Sequence, residues 1–278
     1  MNEVKYSVYV ISKGRSQKQA TRRQFNSIGL EHFTVVEKED YESYKRELPG
    51  DYLVLPESDK GVSYARNFCL KHAIKRRDDV CIIADDDIEL LYAPKRIING
   101  AVKRDRLPIG KEHIDRFISW FYQTPLSQAD VPLEQHSFRV QDDITLHFVQ
   151  FGFVLYRLKD VVDGNLFFDE RFILHEDVAM TLEALSQGRL VACLNAFCIR
   201  TSKIGATKGG LEKAYKTPGL REEMFVKVHL KYPEGTRIQY SKDGSLRTLI
   251  YRDYFKRKFN FMSNNVFNRE YPFVMKER

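Results

Sequence analysis

Apolar residues along this chain form short continuous runs, and polar stretches with helical spacing lie between them. Strands are predicted where the runs are rich in β-branched and aromatic residues, in "YSVYVIS", "FTVVEK", "DYLVLP" and "DVCIIADDD". Helices are predicted through Thr21–Ile28 and through "GVSYARNFCLKHAIKR". Continuous apolar strands that alternate with helices indicate an α/β fold, in which helices cover both faces of a mainly parallel, Rossmann-like sheet.

The second half of the chain continues this pattern with one polar interruption. A helix with one buried face is predicted from the helical spacing of Ile114, Phe117, Ile118 and Phe121. The stretch "TPLSQADVPLEQ" predicts a loop, because two prolines break it. Strands are predicted in "ITLHFVQFGFVLYR" and "LVACLNAFCIRTS", and the segment between them, "FDERFILHEDVAMTLEALSQG", leads into a helix that ends at Gly188.

The composition is that of an ordinary folded protein, with 43% hydrophobic and 13% aromatic residues in a chain of 278. The sequence has no apolar run long enough to span a membrane and starts without a signal-peptide pattern. We therefore expect a cytoplasmic protein with no membrane partner. The four cysteines lack zinc-ligand or redox-motif spacing and are expected to be reduced core thiols.

The net charge of +7 is concentrated near the C-terminus, where residues 203–278 contain 17 Lys and Arg against 8 Asp and Glu. We divide the chain into a core, residues 1–202, and a basic C-terminal segment, residues 203–278, which we expect to pack on the core. Basic residues alternate there with aromatic ones, a pattern suited to phosphates and stacked bases. The candidate nucleic-acid contacts are Arg252, Lys256, Arg257 and Lys258. A solvated basic surface without a partner is the alternative.

Three consecutive aspartates, Asp85, Asp86 and Asp87, follow the fourth predicted strand. Because side chains alternate along a strand, Asp85 and Asp87 are expected to face one pocket while Asp86 faces away or contacts a neighbouring loop. Two carboxylates spaced in this way suit Mg²⁺ or Mn²⁺, which also takes oxygens from substrate phosphates. An ordinary acidic turn or a helix cap is the structural alternative.

Two further polar motifs complete the candidate chemistry. Glu176 and Asp177 open the later helix, where acidic residues are also favoured by the helix dipole. Together with a metal site, they would provide the general base needed when a hydroxyl displaces a diphosphate. Arg66 and Asn67 lie on the helix before the aspartate triplet, where they could reach a diphosphate, sugar or base, or form an internal ion pair.

Taken in order, the "VYVISKGR" opening, "GVSYARNF", "ADDDI" and "HED" resemble GT-A nucleotide-sugar glycosyltransferases. More narrowly, the chain is similar to the bacteriophage TET-associated glycosyltransferases, which modify hydroxymethylated pyrimidines in DNA. The resemblance implies a UDP-sugar donor and a cation, Mn²⁺ or Mg²⁺. It also implies transfer to a hydroxymethyl group in double-stranded DNA, with 5-hydroxymethylcytosine favoured. Attack from the face opposite the diphosphate would invert the anomeric configuration, and a retaining course stays open.

The resemblance also assigns roles to individual residues. Asp85 and Asp87 would bind the metal, and Asp85 and Asp86 would also contact the donor. Asp177, or otherwise Glu176, would be the base. The donor would further be bordered by Ser12, Lys13, Gly14, Arg15, Arg66 and Asn67. Lys203 and Lys208 would help neutralise the diphosphate, because His229 is not expected to supply the C-terminal metal ligand of many GT-A enzymes.

Two other functions remain open from the sequence. A GT-A enzyme of surface-glycan or capsule biosynthesis would use the same donor chemistry without a basic face for DNA. A non-catalytic nucleic-acid-binding protein would keep the basic segment but would have no need for both acidic motifs.

Overall fold

The computed structural model describes residues 4–98, 101–137, 142–146, 152–201, 209–240, 244 and 246–259. The strands are β1 (Tyr6–Ile11), β2 (Phe33–Val36), β3 (Asp51–Val54), β4 (Val80–Asp85), β5 (Ile88–Tyr92), β6 (Lys95–Ile98), β7 (Ala101–Arg104), β8 (Leu107–Pro108), β9 (Leu126–Asp130), β10 (Ile144–Leu146), β11 (Phe153–Arg157), β12 (Leu190–Leu194), β13 (Phe197–Thr201), β14 (Thr236–Tyr240) and β15 (Leu246–Ile250). The helices are α1 (Ala20–Ser27), α2 (Tyr41–Glu47), α3 (Val62–Arg76), α4 (Lys111–Gln123), α5 (Glu134–Ser137), α6 (Leu158–Asp163), α7 (Glu176–Ser186), α8 (Glu212–Lys216), α9 (Leu220–Lys231) and α10 (Arg252–Phe259).

A central sheet of eight strands organises the fold, in the order β10-β12-β9-β11-β4-β1-β2-β3. The half from β4 to β3 is parallel, as its apolar strands predict, whereas β11 runs antiparallel to both of its neighbours. The carboxyl ends of β1 and β4 therefore meet at one edge, since Ile11 lies opposite Asp85. In open α/β sheets this edge is where ligands bind.

Side chains of the central strands alternate between two hydrophobic clusters, one on each face of the sheet. Val8 and Val10 of β1 pack with the side that carries α1 and α4, and Tyr9 and Ile11 pack with the side of α3 and α7. The second cluster also includes Met224 and Val228 of α9 and Phe255 of α10, which pack against the same face as α3 and α7. The buried helical face expected for α4 is confirmed, because Ile114, Phe117, Ile118 and Phe121 are all buried.

One predicted element is wrong. Residues 126–130, expected to be a loop, form β9, a fully buried strand between β11 and β12. Pro125 lies before the strand and Pro132 after it, so neither proline removes a hydrogen bond from its ladder. Burial between two neighbouring strands outweighs the polar character of Ser127, Gln128 and Asp130.

Other expectations agree with the structure where it describes the chain. The four cysteines are buried and free, as expected. Among the described residues, no helix is both long and apolar enough to cross a membrane. The predicted strand region from Ile144 to Arg157 contains β10 and β11, and residues 147–151 lie outside the described ranges.

Candidate active site

A cleft of about 570 Å³ lies at the carboxyl edge of β1 and β4. Its walls come from the loop after β1, the aspartate triplet after β4, the first residues of α7, and the segment that contains α8 and α9. The cleft is large enough for a nucleotide-sized ligand. Of the residues expected at the site, it is lined by Ser12, Lys13, Arg15, Arg66, Asp85, Asp86, Asp87, Glu176 and Asp177.

All three aspartates line the cleft, and Asp86 also contacts the loop after β1. The strand β4 ends at Asp85, so the alternation expected across the triplet does not extend to Asp86 and Asp87. Asp86 is 4% exposed and accepts hydrogen bonds from the hydroxyl of Ser12 and from Nη1 of Arg15, the latter at 2.7 Å. Burial raises the pKa of Asp86 to about 6, although Ser12 and Arg15 both favour its ionised form. Asp86 thus ties the loop after β1 to the end of β4.

Asp85 and Asp87 stand on either side of Asp86 and line the cleft. Asp85 accepts a hydrogen bond of 3.1 Å from Arg66, and Asp87 lies 3.4 Å from Nη1 of Arg15. The described residues contain no group of three or more side chains that could hold a metal by themselves. Mg²⁺ and Mn²⁺ are commonly held by one or two carboxylates, water and substrate phosphates. Asp85 and Asp87 fit this kind of site, with the remaining ligands supplied by a bound donor.

The loop after β1 is held by a network of side chains. Ser12 contacts the hydroxyl of Tyr44 at 2.6 Å, and Lys13 forms ion pairs with Glu37 at 2.8 Å and with Asp59 at 2.5 Å. Gly14 has a φ of +66° and donates its N–H to Asp40 at 2.7 Å, so a left-handed backbone is needed there. These contacts fix the position of the loop at the edge of the cleft.

Arg66 is 6% exposed and joins the two acidic motifs. Its Nη2 atom contacts Asp85, and its Nη1 atom lies 3.6 Å from Oε1 of Glu176. The guanidinium also lies 5.4 Å from the ring centre of Phe168. Its predicted role as a donor contact remains a prediction, and its contacts within the fold are those of a bridge between the motifs.

Asn67 does not line the cleft, so its expected place beside the donor is corrected. Its side chain donates to the carbonyl of Phe168 at 2.9 Å and accepts from the N–H of Phe168 at 2.8 Å. Because its amide is used in these contacts, Asn67 positions the segment that leads to α7. The preceding residue on α3, Arg66, reaches the cleft instead.

The acidic pair opens α7 immediately after His175, which has a left-handed φ of +64°. Glu176 is 5% exposed, and burial, with Asp177 and Asp85 nearby, raises its pKa to about 8 even though Arg66 opposes the shift. Asp177 is half-buried, and burial raises its pKa as well. Both carboxyl groups are therefore better proton acceptors than ordinary ones.

Several residues at this end of the cleft were missed by sequence reasoning: His175, Tyr215, Arg221 and Phe225. The ring of His175 stacks on Phe225 with centroids 4.0 Å apart, and burial lowers the pKa of His175 to about 4. Burial and the nearby acidic pair raise the pKa of Tyr215 to about 12. "HED" pointed to His175, but the others come from a basic segment without a chemical motif.

The remaining predicted contacts lie elsewhere or outside the described residues. Lys203 and Lys208 fall outside the described ranges, as do the side chains of Arg252 and Lys256. Arg257 and Lys258 are exposed on α10, and they donate hydrogen bonds of 2.7 Å to the hydroxyls of Tyr251 and Tyr254. His229 contacts Thr236 at 2.8 Å and does not line the cleft.

The sheet order, with the aspartate triplet at the end of β4 and the acidic pair of α7 in one cleft, is that of a GT-A-type fold. The chain belongs to the TET-Associated Glycosyltransferase family, whose model matches residues 6–210. This match contains both acidic motifs and confirms the resemblance found in the sequence. A search of curated proteins gave no match.

Several solved structures resemble this chain at low sequence identity. TarS from S. aureus is 15% identical, with a TM-score of 0.50 over 82% of this chain and 39% of that chain. A fragment of TarS in complex with UDP is 15% identical, with a TM-score of 0.45 over 69% and 58% of the two chains. GalNAc-T7 with UDP, GalNAc and Mn²⁺ is 11% identical, with a TM-score of 0.44 over 97% and 57%. The chain thus spans less than two thirds of each of these proteins.

Proposed function

We propose that this protein transfers a sugar from a UDP-sugar to the hydroxymethyl group of a modified pyrimidine in DNA, with 5-hydroxymethylcytosine as the favoured base. The observation that carries the proposal is the bridge made by Arg66, which contacts Asp85 and lies 3.6 Å from Glu176. One guanidinium thus links the candidate donor site to the acidic pair, Glu176 and Asp177, that contains the candidate base. Membership of the TET-associated glycosyltransferase family supports the choice of acceptor.

The donor diphosphate is proposed to lie at the carboxyl ends of β1 and β4. Asp85 and Asp87 would hold Mn²⁺ or Mg²⁺, which when bound supplies positive charge beside the diphosphate leaving group. Arg15 orients this end of the cleft, because it contacts both Asp86 and Asp87. The nucleoside is expected along the loop after β1, whose Ser12 and Lys13 line the cleft.

Asp177 is the proposed general base. It is more accessible than Glu176. Among the described residues Asp177 forms no ion pair, whereas Glu176 lies 3.6 Å from Arg66. As the acceptor oxygen attacks the anomeric carbon, its proton passes to Asp177. The bond between the anomeric carbon and the diphosphate breaks, and its electron pair leaves with the diphosphate. Attack opposite the leaving group inverts the anomeric configuration.

The basic C-terminal segment is proposed to contact the DNA acceptor. Arg257 and Lys258 are exposed on α10, and Phe255 of the same helix is buried in the core cluster that also contains α9 residues. These contacts would orient the basic side of α10 outward, where phosphates could bind. If the DNA belongs to a bacteriophage, the reaction takes place in the cytoplasm of its bacterial host.

The proposal can be tested by incubating the protein with Mn²⁺, a panel of UDP-sugars, and matched duplexes containing cytosine or 5-hydroxymethylcytosine. We expect transfer to the hydroxymethylated duplex only, read as a mass increase of the nucleoside. Donor hydrolysis without labelling of either duplex would contradict the DNA acceptor and favour a glycan acceptor. DNA binding without any donor binding would instead favour a non-catalytic protein.

A further inference from the structure

The cations that line the cleft differ in whether they are neutralised. Lys13 pairs with Glu37 and Asp59, Arg15 with Asp86 and Asp87, and Arg66 with Asp85 and Glu176. Arg221 also lines the cleft, yet it forms no ion pair with any residue that the structure describes. Its charge is therefore available to an anionic ligand in the cleft.

The surroundings of Arg221 place it beside the candidate base. Arg221 lies in the first turn of α9, and its guanidinium carbon is 5.5 Å from the ring centre of Phe225, one turn further on. Phe225 stacks on His175, the residue before the acidic pair. Arg221 is thus connected through Phe225 to the start of α7.

This side of the cleft also contacts the hairpin formed by β14 and β15. The hydroxyl of Thr248 on β15 donates a hydrogen bond of 2.8 Å to the carbonyl of Phe225. The neighbouring strand β14 carries Arg237, whose guanidinium carbon lies 3.8 Å from the ring centre of Tyr251. A polyanion reaching the cleft from this segment would meet Arg221 next to the acidic pair.

We propose that Arg221 binds a backbone phosphate of the acceptor strand beside the modified base. The inference rests on the proposed function, and it assigns to one residue the task of holding the acceptor hydroxyl near Asp177. An arginine can bind phosphate through two parallel hydrogen bonds, which fix orientation as well as supply attraction. Arg221 is a binding residue in this account and takes no part in the proton transfer.

The first test compares Arg221→Gln with Lys227→Gln, a change of the same charge on the same helix. Lys227 is exposed, pairs with Glu223 at 2.8 Å, and does not line the cleft. Loss of the phosphate contact should raise the KM for hydroxymethylated DNA roughly tenfold and leave the KM for the UDP-sugar unchanged. The slope of log KM for DNA against log salt should fall by about one. Lys227→Gln should change neither value.

A second test neutralises the ligand rather than the protein. Duplexes with methylphosphonate linkages on both sides of the modified base should raise the wild-type KM roughly tenfold and have no further effect on Arg221→Gln, because the same contact is already lost. Multiplicative effects, or a rise in the donor KM alone, would overturn the assignment. Transfer by the wild type to unmodified linkages shows separately that the proposed function holds.

Discussion

The Nη1 atom of Arg15 donates a hydrogen bond of 2.7 Å to the buried Oδ1 atom of Asp86. The pair joins the loop after β1 to the middle of the aspartate triplet. Asp85 and Asp87 are consequently held on the side of the cleft, and the same guanidinium lies 3.4 Å from Asp87. Asp86 lies one residue beyond the end of β4, and its contact with Arg15 holds the turn that carries Asp87.

Removal of the Arg15 guanidinium should destabilise the fold in a pH-dependent way. We expect Arg15→Met to lower the free energy of unfolding by about 3 kcal/mol at pH 8, because Asp86 would be left as a buried charge without its ion-pair partner. The loss should be smaller at pH 5, since the pKa of Asp86 is about 6 and the carboxyl is then mostly neutral. Urea unfolding at both pH values would measure this. Lys60→Met, which removes an exposed cation paired with the exposed Glu57, should change stability much less.

Asp87 should be needed for metal-dependent donor binding. We expect Asp87→Ala to abolish the increase in UDP-sugar affinity that Mn²⁺ produces, because one of two carboxylate ligands is lost. Isothermal titration with and without Mn²⁺ would measure this. Glu89→Ala is the matched control, because Glu89 is exposed and pairs with Arg200 outside the cleft. An undiminished Mn²⁺ effect in Asp87→Ala would remove Asp87 from the metal site.

Asp177 and Glu176 should separate in their effects on catalysis. We expect Asp177→Asn to keep donor affinity while lowering kcat by roughly 100-fold or more, because the amide cannot accept the proton. Glu176→Gln should lower kcat less, since Glu176 acts through its contact with Arg66. Single-turnover transfer with saturating donor would give both values. Normal turnover by Asp177→Asn would exclude it as the base.

The raised pKa of Glu176 should make stability fall with rising pH. The native state holds this proton up to a pKa of about 8, whereas an unfolded Glu releases it near its ordinary value of 4.5. The favourable contribution is therefore complete below pH 4.5 and is lost as pH rises through about 8. Thermal unfolding of Glu176→Gln should lose this part of the pH dependence. The same pH profile in the variant and the wild type would contradict the shift.

Charge reversal on α10 should weaken the interaction with DNA alone. We expect Arg257→Glu with Lys258→Glu to raise the KM for hydroxymethylated DNA several-fold while the KM for the donor stays the same, because exposed cations attract phosphates over several ångströms. Transfer kinetics at two salt concentrations would show whether the effect is electrostatic. An unchanged KM would assign α10 to an ordinary solvated surface.

The acidic motifs could be placed from sequence because both follow simple local rules. A strand that ends in aspartates puts them at the carboxyl edge of a parallel sheet, and acidic residues favour the first turn of a helix. The strand β9 could not be recognised in the same way. Its polar residues, Ser127, Gln128 and Asp130, are typical of a loop, and only their burial between two strands of the sheet shows that they belong to a strand.

The missed residues of the cleft depend on tertiary contacts. Arg221 and Phe225 come from a helix far along the chain, and packing of that helix, including the stacking of Phe225 on His175, brings them to the acidic pair. The spacing of Met224, Phe225 and Val228 predicts a buried helical face, but it does not indicate what that face meets. Asn67 shows the opposite error. It was expected to contact the donor, but its amide holds the backbone at Phe168 instead.

The hydrogen bond of 3.0 Å from the N–H of Gly210 to the carbonyl of Lys13 bears on when the protein gains its activity during synthesis. This contact joins the first loop of the chain to a segment made almost two hundred residues later. A ribosome-bound fragment that ends before Gly210 has its early strands but lacks one wall of the cleft. The proposed donor site is therefore complete only after the chain has been made beyond the core, through Gly210.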